Sequence, residues 1–306
     1  GVDSSRNIPP LPVSPPNTGQ YAPKKKKKTW IIFAAIGGLF ILAILCVVGL
    51  WVLDPLFAPS DEPAVAGEEE LENNEVAFAG ELPNGSLMPA EDFYACFSKA
   101  GYSDQVTSFE GLVPLVCDNF DDNRYGWFLE EFDTDYVSAG ATIANGVLRM
   151  EMTAKDNYSQ FWQWIPDLTT GEDLSVSDLI IYFKVRRIEG PADTIIGIDY
   201  RESANNEFYS LSVYENNDYM ALEYFDGSNY NELIAVDTAS WNAEQWNQIG
   251  AVISGGSHYL VADNNEIEFN DSRLTSDGFL TLWVGAVNPG DTVVYEIDDV
   301  LVLMVD

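Results

Sequence analysis

The sequence contains a single histidine, His258, and only three cysteines among its 306 residues. One histidine cannot form a histidine cluster for a metal, and neither a serine nucleophile elbow nor a phosphate-binding loop is present. Because His258 follows Gly255 and Gly256, we interpret it as a hairpin-turn residue rather than a general base. These absences argue against an enzyme that uses the common nucleophilic or metal-dependent mechanisms.

Basic residues are also scarce, since 15 lysines and arginines stand against 49 acidic residues and the formal net charge is -34. They are unevenly placed. Arg6 and the lysines at 24–28 precede residue 30 together with one acid, Asp3, so this leader carries +5 and the rest of the chain carries -39. A part this acidic repels phosphate backbones, so nucleic acid is not an expected partner.

The one long hydrophobic run, residues 30–53, contains no charged residue. As a helix it would be about 36 Å long, enough to cross a hydrocarbon core of about 30 Å. Trp30 and Trp51 lie near its two ends, where indole rings favour the headgroup region. Lysines next to one end mark the cytoplasmic side. The pattern predicts an uncleaved, single-pass signal anchor in the cell membrane, with the lipid bilayer as partner and the C-terminal part outside the cell.

Three shorter segments flank the predicted anchor. Residues 1–29 are proline-containing and basic, which is typical of a disordered cytoplasmic tail. Residues 54–89 are acidic, which predicts a stalk that is kept extended by repulsion between its charges. Residues 90–117 contain one helical pattern with early acids and a terminal glycine, followed by a loop. Cys96 and Cys117 can form a disulfide in an oxidising compartment, and two free thiols are the alternative.

Residues 118–306 change to short alternating stretches separated by turn residues. VLRMEM at 147–152 follows the hairpin signal Asn145-Gly146, and DLIIYFKVRRI at 178–188 is a long strand pattern. No stretch longer than a turn has helical periodicity. This region therefore predicts an all-β sandwich or barrel in a single domain.

The order of these strands resembles a known superfamily. The domain opens with DNFDDNRYGW, continues through ATIANGVLRMEM and NEFYSLSVYENNDYMALEYFDG, and closes with GFLTLWVGAVNPGDTVVYEIDDVLVL. It is similar to concanavalin A-like lectin/glucanase domains, most of all to the 3-keto-disaccharide hydrolase-like and laminin-G-like domains of bacterial surfaces. The resemblance covers 118–306. It implies a two-sheet jelly roll whose first and last strands pair, with ligands on the concave sheet or its rim loops.

Catalysis within that superfamily uses the pattern E-x-D-x-x-E on one strand in the family 16 glycosidases. Glu131 and Asp133 are followed by Tyr136 where the second glutamate belongs, and the acids at 296–298 are followed by Leu301. Both stretches lack the second carboxylate that the retaining mechanism needs. The sequence therefore predicts a protein that is not an enzyme.

Carbohydrate binding is indicated by Phe161-Trp162-Gln163-Trp164, where strand alternation places two indoles on one face and Gln163 on the other. Stacked aromatic rings hold the CH-rich faces of sugars. We assign Trp162, Gln163, Trp164 and Tyr209 to a carbohydrate-binding surface. The alternative is that these large residues fill the core, since aromatics are enriched in strands generally.

A structural calcium ion is the third hypothesis. Asp118, Asp121 and Asp122 open the first strand of the domain, and Asp298 and Asp299 lie on the last. If the terminal strands pair, these carboxylates converge, and carboxylate oxygens suit Ca²⁺. In a chain with this many acids, convergence by chance is the alternative.

Together these features indicate a membrane-anchored extracellular recognition module that binds cell-envelope or environmental glycans without catalysis. One alternative is a structural or assembly protein of the envelope that acts through contacts with other envelope proteins. A more remote alternative is a glycosidase-like enzyme.

The predicted orientation has a direct test in intact cells that express the chain with an N-terminal tag. Added protease should digest the acidic C-terminal part and spare the tag, because only the former lies outside the bilayer. Lysis by detergent before digestion is the control, and it should expose both. A C-terminal part that is digested only after lysis would contradict the signal-anchor prediction.

Overall fold

The structure, a computed structural model, describes residues 88–167, 173–238 and 241–305. The predicted tail, the predicted span at 30–53 and nearly all of the predicted stalk lie outside these ranges. Within the described residues, no helix has the length and apolar character needed to cross a membrane.

Helix α1 (Ala90–Ala100) begins and ends where the sequence pattern indicates. Glu91 and Asp92 lie in its first turn, where negative charge interacts favourably with the helix dipole. Gly101 ends the helix in a left-handed conformation with φ 76°, and its N–H donates to the carbonyl of Phe97. The predicted short helix is confirmed.

Sixteen strands are present within the described ranges. Their bounds are β1 Leu112–Asp118, β2 Phe132–Asp133, β3 Val137–Ala144, β4 Val147–Ala154, β5 Ser159–Trp164, β6 Ser175–Val176, β7 Leu179–Glu189, β8 Thr194–Glu202, β9 Glu207–Tyr214, β10 Tyr219–Asp226, β11 Tyr230–Asp237, β12 Asn247–Ser254, β13 Ser257–Ala262, β14 Asn265–Asn270, β15 Gly278–Ala286 and β16 Thr292–Val305. Asn145 and Gly146, at φ 56° and 74°, form the predicted hairpin turn between β3 and β4.

The strands form two antiparallel sheets. The first has the order β14-β13-β12-β7-β16-β4-β3-β2, with β1 also paired to β16. The second has the order β11-β10-β9-β8-β15-β5, with β6 also paired to β15. This arrangement confirms the predicted all-β sandwich and the pairing of the first strand with the last.

The segment before the sandwich is attached to the first sheet. Cys96 in α1 is disulfide-bonded to Cys117 in β1, which confirms the predicted bond. Phe109 packs against Phe93 and Phe97 of α1, with ring centroids 5.2 and 5.1 Å away. Because β1 begins at Leu112, the sandwich starts earlier than the predicted boundary at residue 118.

The interpretation of His258 as a turn residue is wrong. It lies in β13 with 1% of its surface exposed, and the turn consists of the residues before Ser257. Its Nε2 is 3.0 Å from the carbonyl oxygen of Asp271, so this nitrogen carries the proton, and Nδ1 accepts from the hydroxyl of Tyr200 at 2.8 Å. Burial lowers the pKa of His258, which holds the ring neutral in the core.

Removing the disulfide should lower stability because the unfolded chain regains freedom. The two cysteines are 21 residues apart, a loop worth roughly 3 kcal/mol in the chain-entropy model. For a domain of this size, the Cys96→Ser, Cys117→Ser variant should melt roughly 6–12 °C lower. Reductant should lower the melting temperature of the wild type and leave that of the variant unchanged. Equal melting temperatures for the two oxidised proteins would show that the bond contributes nothing.

Candidate functional site

The outer face of the second sheet carries the two tryptophans that the sequence singled out. In β5, Phe161 points into the core and is 1% exposed, whereas Trp162 and Trp164 lie half-buried on the opposite side. Trp283 of β15 lies directly opposite Trp162 in the register. We call the outward-facing residues of β5, β15, β8, β9 and β10 the indole face.

Two of the four residues predicted to bind carbohydrate face the interior instead. Gln163 is fully buried, and its Nε2 donates to the carbonyl of Phe128 at 2.7 Å. Tyr209 is also fully buried, stacks on Tyr200, and donates its hydroxyl to Asp271 Oδ1 at 2.6 Å. Both residues lie at positions of their strands whose side chains alternate toward the core. The assignment of these two side chains to a ligand surface is therefore wrong.

One row of residues across the indole face is polar. Register pairs place Trp164 beside Thr281, Thr281 beside Asp199, Asp199 beside Ser210 and Ser210 beside Glu223. Neighbouring strands lie about 4.8 Å apart, so the side chains of adjacent members of the row are in reach of one another. We call this set the polar row.

The adjacent row begins with two indoles and continues with three small residues. It runs Trp162, Trp283, Gly197, Ser212, Ala221. A Cβ added to Gly197 would lie 2.8 Å from ring atoms of Trp283, so the indole of Trp283 lies against the backbone of β8. A larger residue at position 197 would lift this ring from the sheet.

Asp199 is the most unusual group in the polar row. It is 2% exposed, and the indole Nε1 of Trp162 donates to its Oδ2 at 3.1 Å. Burial raises the pKa of Asp199 to about 8, although hydrogen bonding from Ser210 and Trp162 opposes the rise. Within the described residues, Asp199 Oδ1 and the hydroxyl of Thr281 have no hydrogen-bond partner. At neutral pH, Asp199 is therefore a mostly protonated carboxyl next to two indoles.

Glu223 is the second buried acid of the row. Ser212 donates to its Oε2 at 2.6 Å, and the hydroxyl of Tyr214 donates to the same atom at 2.9 Å. Burial raises the pKa of Glu223 to about 7. The hydroxyl oxygens of Ser210 and Ser212 are 3.3 Å apart, so a chain of serines connects the two acids.

The arrangement has the chemistry of a carbohydrate-binding surface. The partly exposed indoles of Trp162 and Trp164 offer flat apolar area for the CH faces of sugar rings. Hydroxyls and a protonated carboxyl can both donate and accept hydrogen bonds, as sugar hydroxyls do. Tyr214 and Tyr219 extend the aromatic surface, since their rings stack with centroids 4.7 Å apart.

Sequence reasoning missed Asp199, Glu223 and Trp283. The available signal was an acid in the middle of each strand, flanked by apolar residues, as in GIDY and ALEY of β8 and β10. The glycosidase pattern, by contrast, requires its acids on one strand. Those acids lie on the first sheet, where Glu296 binds Arg186 at 2.6 Å and Asp133 binds Lys155.

The predicted calcium ligands are engaged by protein groups. Asp118 faces Val300 across the paired terminal strands, as the hypothesis required. Its carboxylate, however, accepts from the backbone N–H of Phe120 at 2.8 Å and from the indole of Trp127 at 2.7 Å. Burial raises the pKa of Asp118 to about 6.

The other four acids are held in the same way. Asp121 pairs with Lys99, Asp122 with Arg124, and Asp299 with Lys184, while Asp298 Oδ1 accepts from the backbone N–H of Asp299. The part of the chain that the structure describes contains no group of three or more side chains arranged to hold a metal. The five carboxylates therefore do not form the expected cluster in this structure.

Comparisons with known proteins find no matching family model and no matching curated protein. Solved structures do match. A carbohydrate-binding module, CBM66 from Bacillus subtilis, is 14% identical with a TM-score of 0.43, over 58% of this chain and 94% of that one. A Bacillus licheniformis beta-glucanase is 8% identical with a TM-score of 0.46, over 62% and 97%. The exoplasmic/lumenal domain of VIP36, in a form bound to Ca²⁺ and Man3GlcNAc, is 12% identical with a TM-score of 0.39, over 57% and 89%.

The raised pKa of Asp199 predicts how stability changes with pH. The folded state binds this proton more tightly than the unfolded state, whose carboxyl has a pKa near 3.8. Stability from this group is complete below that value and is lost as the pH rises through about 8. The melting temperature of Asp199→Asn should therefore fall less between pH 7 and 9 than that of the wild type.

Asp133→Asn is the control, because Lys155 holds the pKa of the exposed Asp133 below its usual range and no proton is exchanged there above pH 7. Its profile should parallel the wild type. Identical slopes for the wild type and Asp199→Asn would mean that Asp199 is ionised in the folded protein.

Proposed function

We propose that this chain recognises glycans without catalysis, and that sugars bind on the indole face. The proposal rests on the pair Trp162 and Trp164, which are half-buried side by side on one face of β5, Trp164 within the polar row and Trp162 in the adjacent row. Residues two apart in a strand are about 6.6–7 Å apart, so the two indoles can contact neighbouring rings of one saccharide chain. Thr281 and Asp199 lie in the same row as Trp164 but are buried, at 1% and 2% exposure, so the indoles of Trp162 and Trp164 are the groups of the two rows that a sugar can contact.

Charge favours neutral glycans. The part of the chain after residue 53 carries -39, and neither row of the indole face contains a lysine or arginine. An acidic saccharide would meet repulsion without a local cation to offset it. Neutral hexoses and N-acetylhexosamines of the envelope or the surroundings fit this surface best.

The proposed location follows from the sequence. The hydrophobic run at 30–53 would anchor the chain in the cell membrane, and the acidic stalk would hold the sandwich outside the cell. A recognition module in this position meets glycans of its own envelope or of the environment.

Glycoside hydrolysis is the second candidate, because Asp199 and Glu223 lie on one face two strands apart. Two strand spacings are about 9.6 Å, near the upper end of the separation of roughly 6.5–9.5 Å between the carboxyls of inverting glycosidases. Both side chains are buried, however, at 2% and 5% exposure, and both accept hydrogen bonds from the protein. A base that activates water needs an accessible, ionised carboxylate. We therefore favour binding over catalysis.

A glycan array tests the proposal on the full chain, kept in a detergent without a sugar headgroup because residues 30–53 are apolar. Neutral glycans should bind, and Trp164→Ala should weaken binding about tenfold or more, since an indole stack is worth about 1.4 kcal/mol. Trp246→Ala is the matched control. Trp246 is 38% exposed and packs on Arg186 of the first sheet, away from the indole face.

Two results would count against this function. The absence of any glycan ligand would favour the alternative of an envelope assembly protein. Release of reducing ends from a bound glycan, abolished by Asp199→Asn, would instead establish the hydrolase.

A further inference from the structure

A cavity of about 500 Å³ opens on the outer face of the first sheet, on the side opposite the indole face. This is within the range of small-molecule sites, roughly 300–1,000 Å³. Its floor is lined by Tyr182 of β7, Val261 of β13 and Glu266 of β14, which share one register row of outward residues with Gly250 of β12. We call it the first-sheet cavity.

Gly250 lies beneath the ring of Tyr182 and does not itself line the cavity. A Cβ at this position would lie 2.3 Å from ring atoms of Tyr182, so the phenol ring lies over the glycine backbone and replaces a side chain there. Tyr182 is held in this position by Tyr102, whose ring centroid is 5.6 Å away. The half-buried phenol ring of Tyr259 lies beside the floor of the cavity.

One wall comes from the segment that the disulfide attaches to the sheet. Gln105 lies just after this segment's short 3-10 helix, and its Nε2 is 3.5 Å from Oε1 of Gln248. The opposite wall is the turn between β13 and β14. There Asp263 accepts from the backbone N–H of Gln248 at 2.9 Å and donates its own N–H to the carbonyl of Gln248 at 2.8 Å.

The lining indicates the charge of a ligand. Asp263 and Glu266 are acidic, and the described residues around the cavity include no lysine or arginine. Lys184, the register neighbour of Gln248, binds Asp299 and the carbonyl of Ala100 instead. Two carboxylates without a cation repel anions, so phosphates, sulfates and acidic sugars do not fit.

The carboxamides indicate the type of ligand. Gln105, Gln248 and Asn264 line the cavity, and each amide offers both donors and an acceptor. A hydroxylated ligand uses both kinds of group, whereas a cationic amine only donates. Both acids already accept hydrogen bonds within the protein. Asp263 accepts one from the backbone N–H of Gln248, and Glu266 accepts one from the hydroxyl of Tyr259. The phenols add apolar area.

We propose that the first-sheet cavity is a second binding site and that it takes a neutral saccharide unit. Carboxamides hydrogen-bond its hydroxyls, and Tyr182 and Tyr259 contact its apolar surface. The site is separate from the indole face, so the module has one carbohydrate site on each sheet.

The probes are the uncharged methyl glycosides of glucose, galactose, mannose and N-acetylglucosamine, with spermidine as the cationic amine. Binding to the full chain in the sugar-free detergent is measured by saturation-transfer NMR and titration calorimetry. We expect at least one glycoside to bind with a signal that Val261→Trp removes by filling the cavity. Gln248→Ala should weaken binding about fivefold, the effect of one lost hydrogen bond.

Matched controls separate the two sites. Gln245→Ala removes an exposed glutamine three residues away that does not line the cavity, and it should leave affinity unchanged. Trp164→Ala should weaken only binding at the indole face. Circular dichroism and melting temperature establish that Val261→Trp is folded, and Gln248→Ala carries the test if it is not.

Three outcomes would overturn the proposal. These are the absence of glycoside binding, glycoside binding that depends on Trp164 and is unaffected by Gln248→Ala, and spermidine binding that displaces or replaces the glycoside. The second of these would leave the proposed function of the indole face intact.

Discussion

Antiparallel register is the constraint on which the rest of this structure depends. Backbone hydrogen bonds between β5, β15, β8, β9 and β10 place one outward residue of each strand in line with the next. The polar row and the row of indoles and small residues are consequences of that alignment. A slip of one residue in β8 would exchange Asp199 for Tyr200 and bring an aromatic core residue to the surface.

Burying Asp199 and Glu223 costs free energy, and neighbouring side chains of the second sheet offset part of that cost. Ionised carboxylates in an apolar setting are unfavourable, and both groups respond with raised pKa values. Trp162 donates to Asp199, and Ser212 and Tyr214 donate to Glu223, which opposes the rise in both pKa values without a counter-ion. The result is a polar face whose two acids carry less negative charge at neutral pH than ordinary carboxylates would, within a chain that is strongly acidic.

The first sheet uses the same alternation for a different purpose. Its outward face at β16 and β7 receives the disulfide-attached segment, through Lys184, Tyr182 and the hydroxyl of Tyr102, which donates to the Asp299 carbonyl at 2.7 Å. Gln105, just after the short 3-10 helix of that segment, lines the cavity. The disulfide-attached segment therefore contributes one wall of the cavity.

The local features of this protein follow from residues that are close in the chain. Strand alternation, the Asn145-Gly146 turn, the ends of α1 and the Cys96–Cys117 bond could all be predicted for that reason.

Which side of each strand faces the core is set by how the two sheets pack, and this reversed the assignments of Gln163 and Tyr209. The tertiary structure also brings distant residues together, since Asp199 and Glu223 come from different strands and Gln105 reaches Gln248 over 143 residues. Which distant residues come into contact depends on strand order and on competition between partners, as where Trp127 binds Asp118. The periodicity of a single strand carries no information about either.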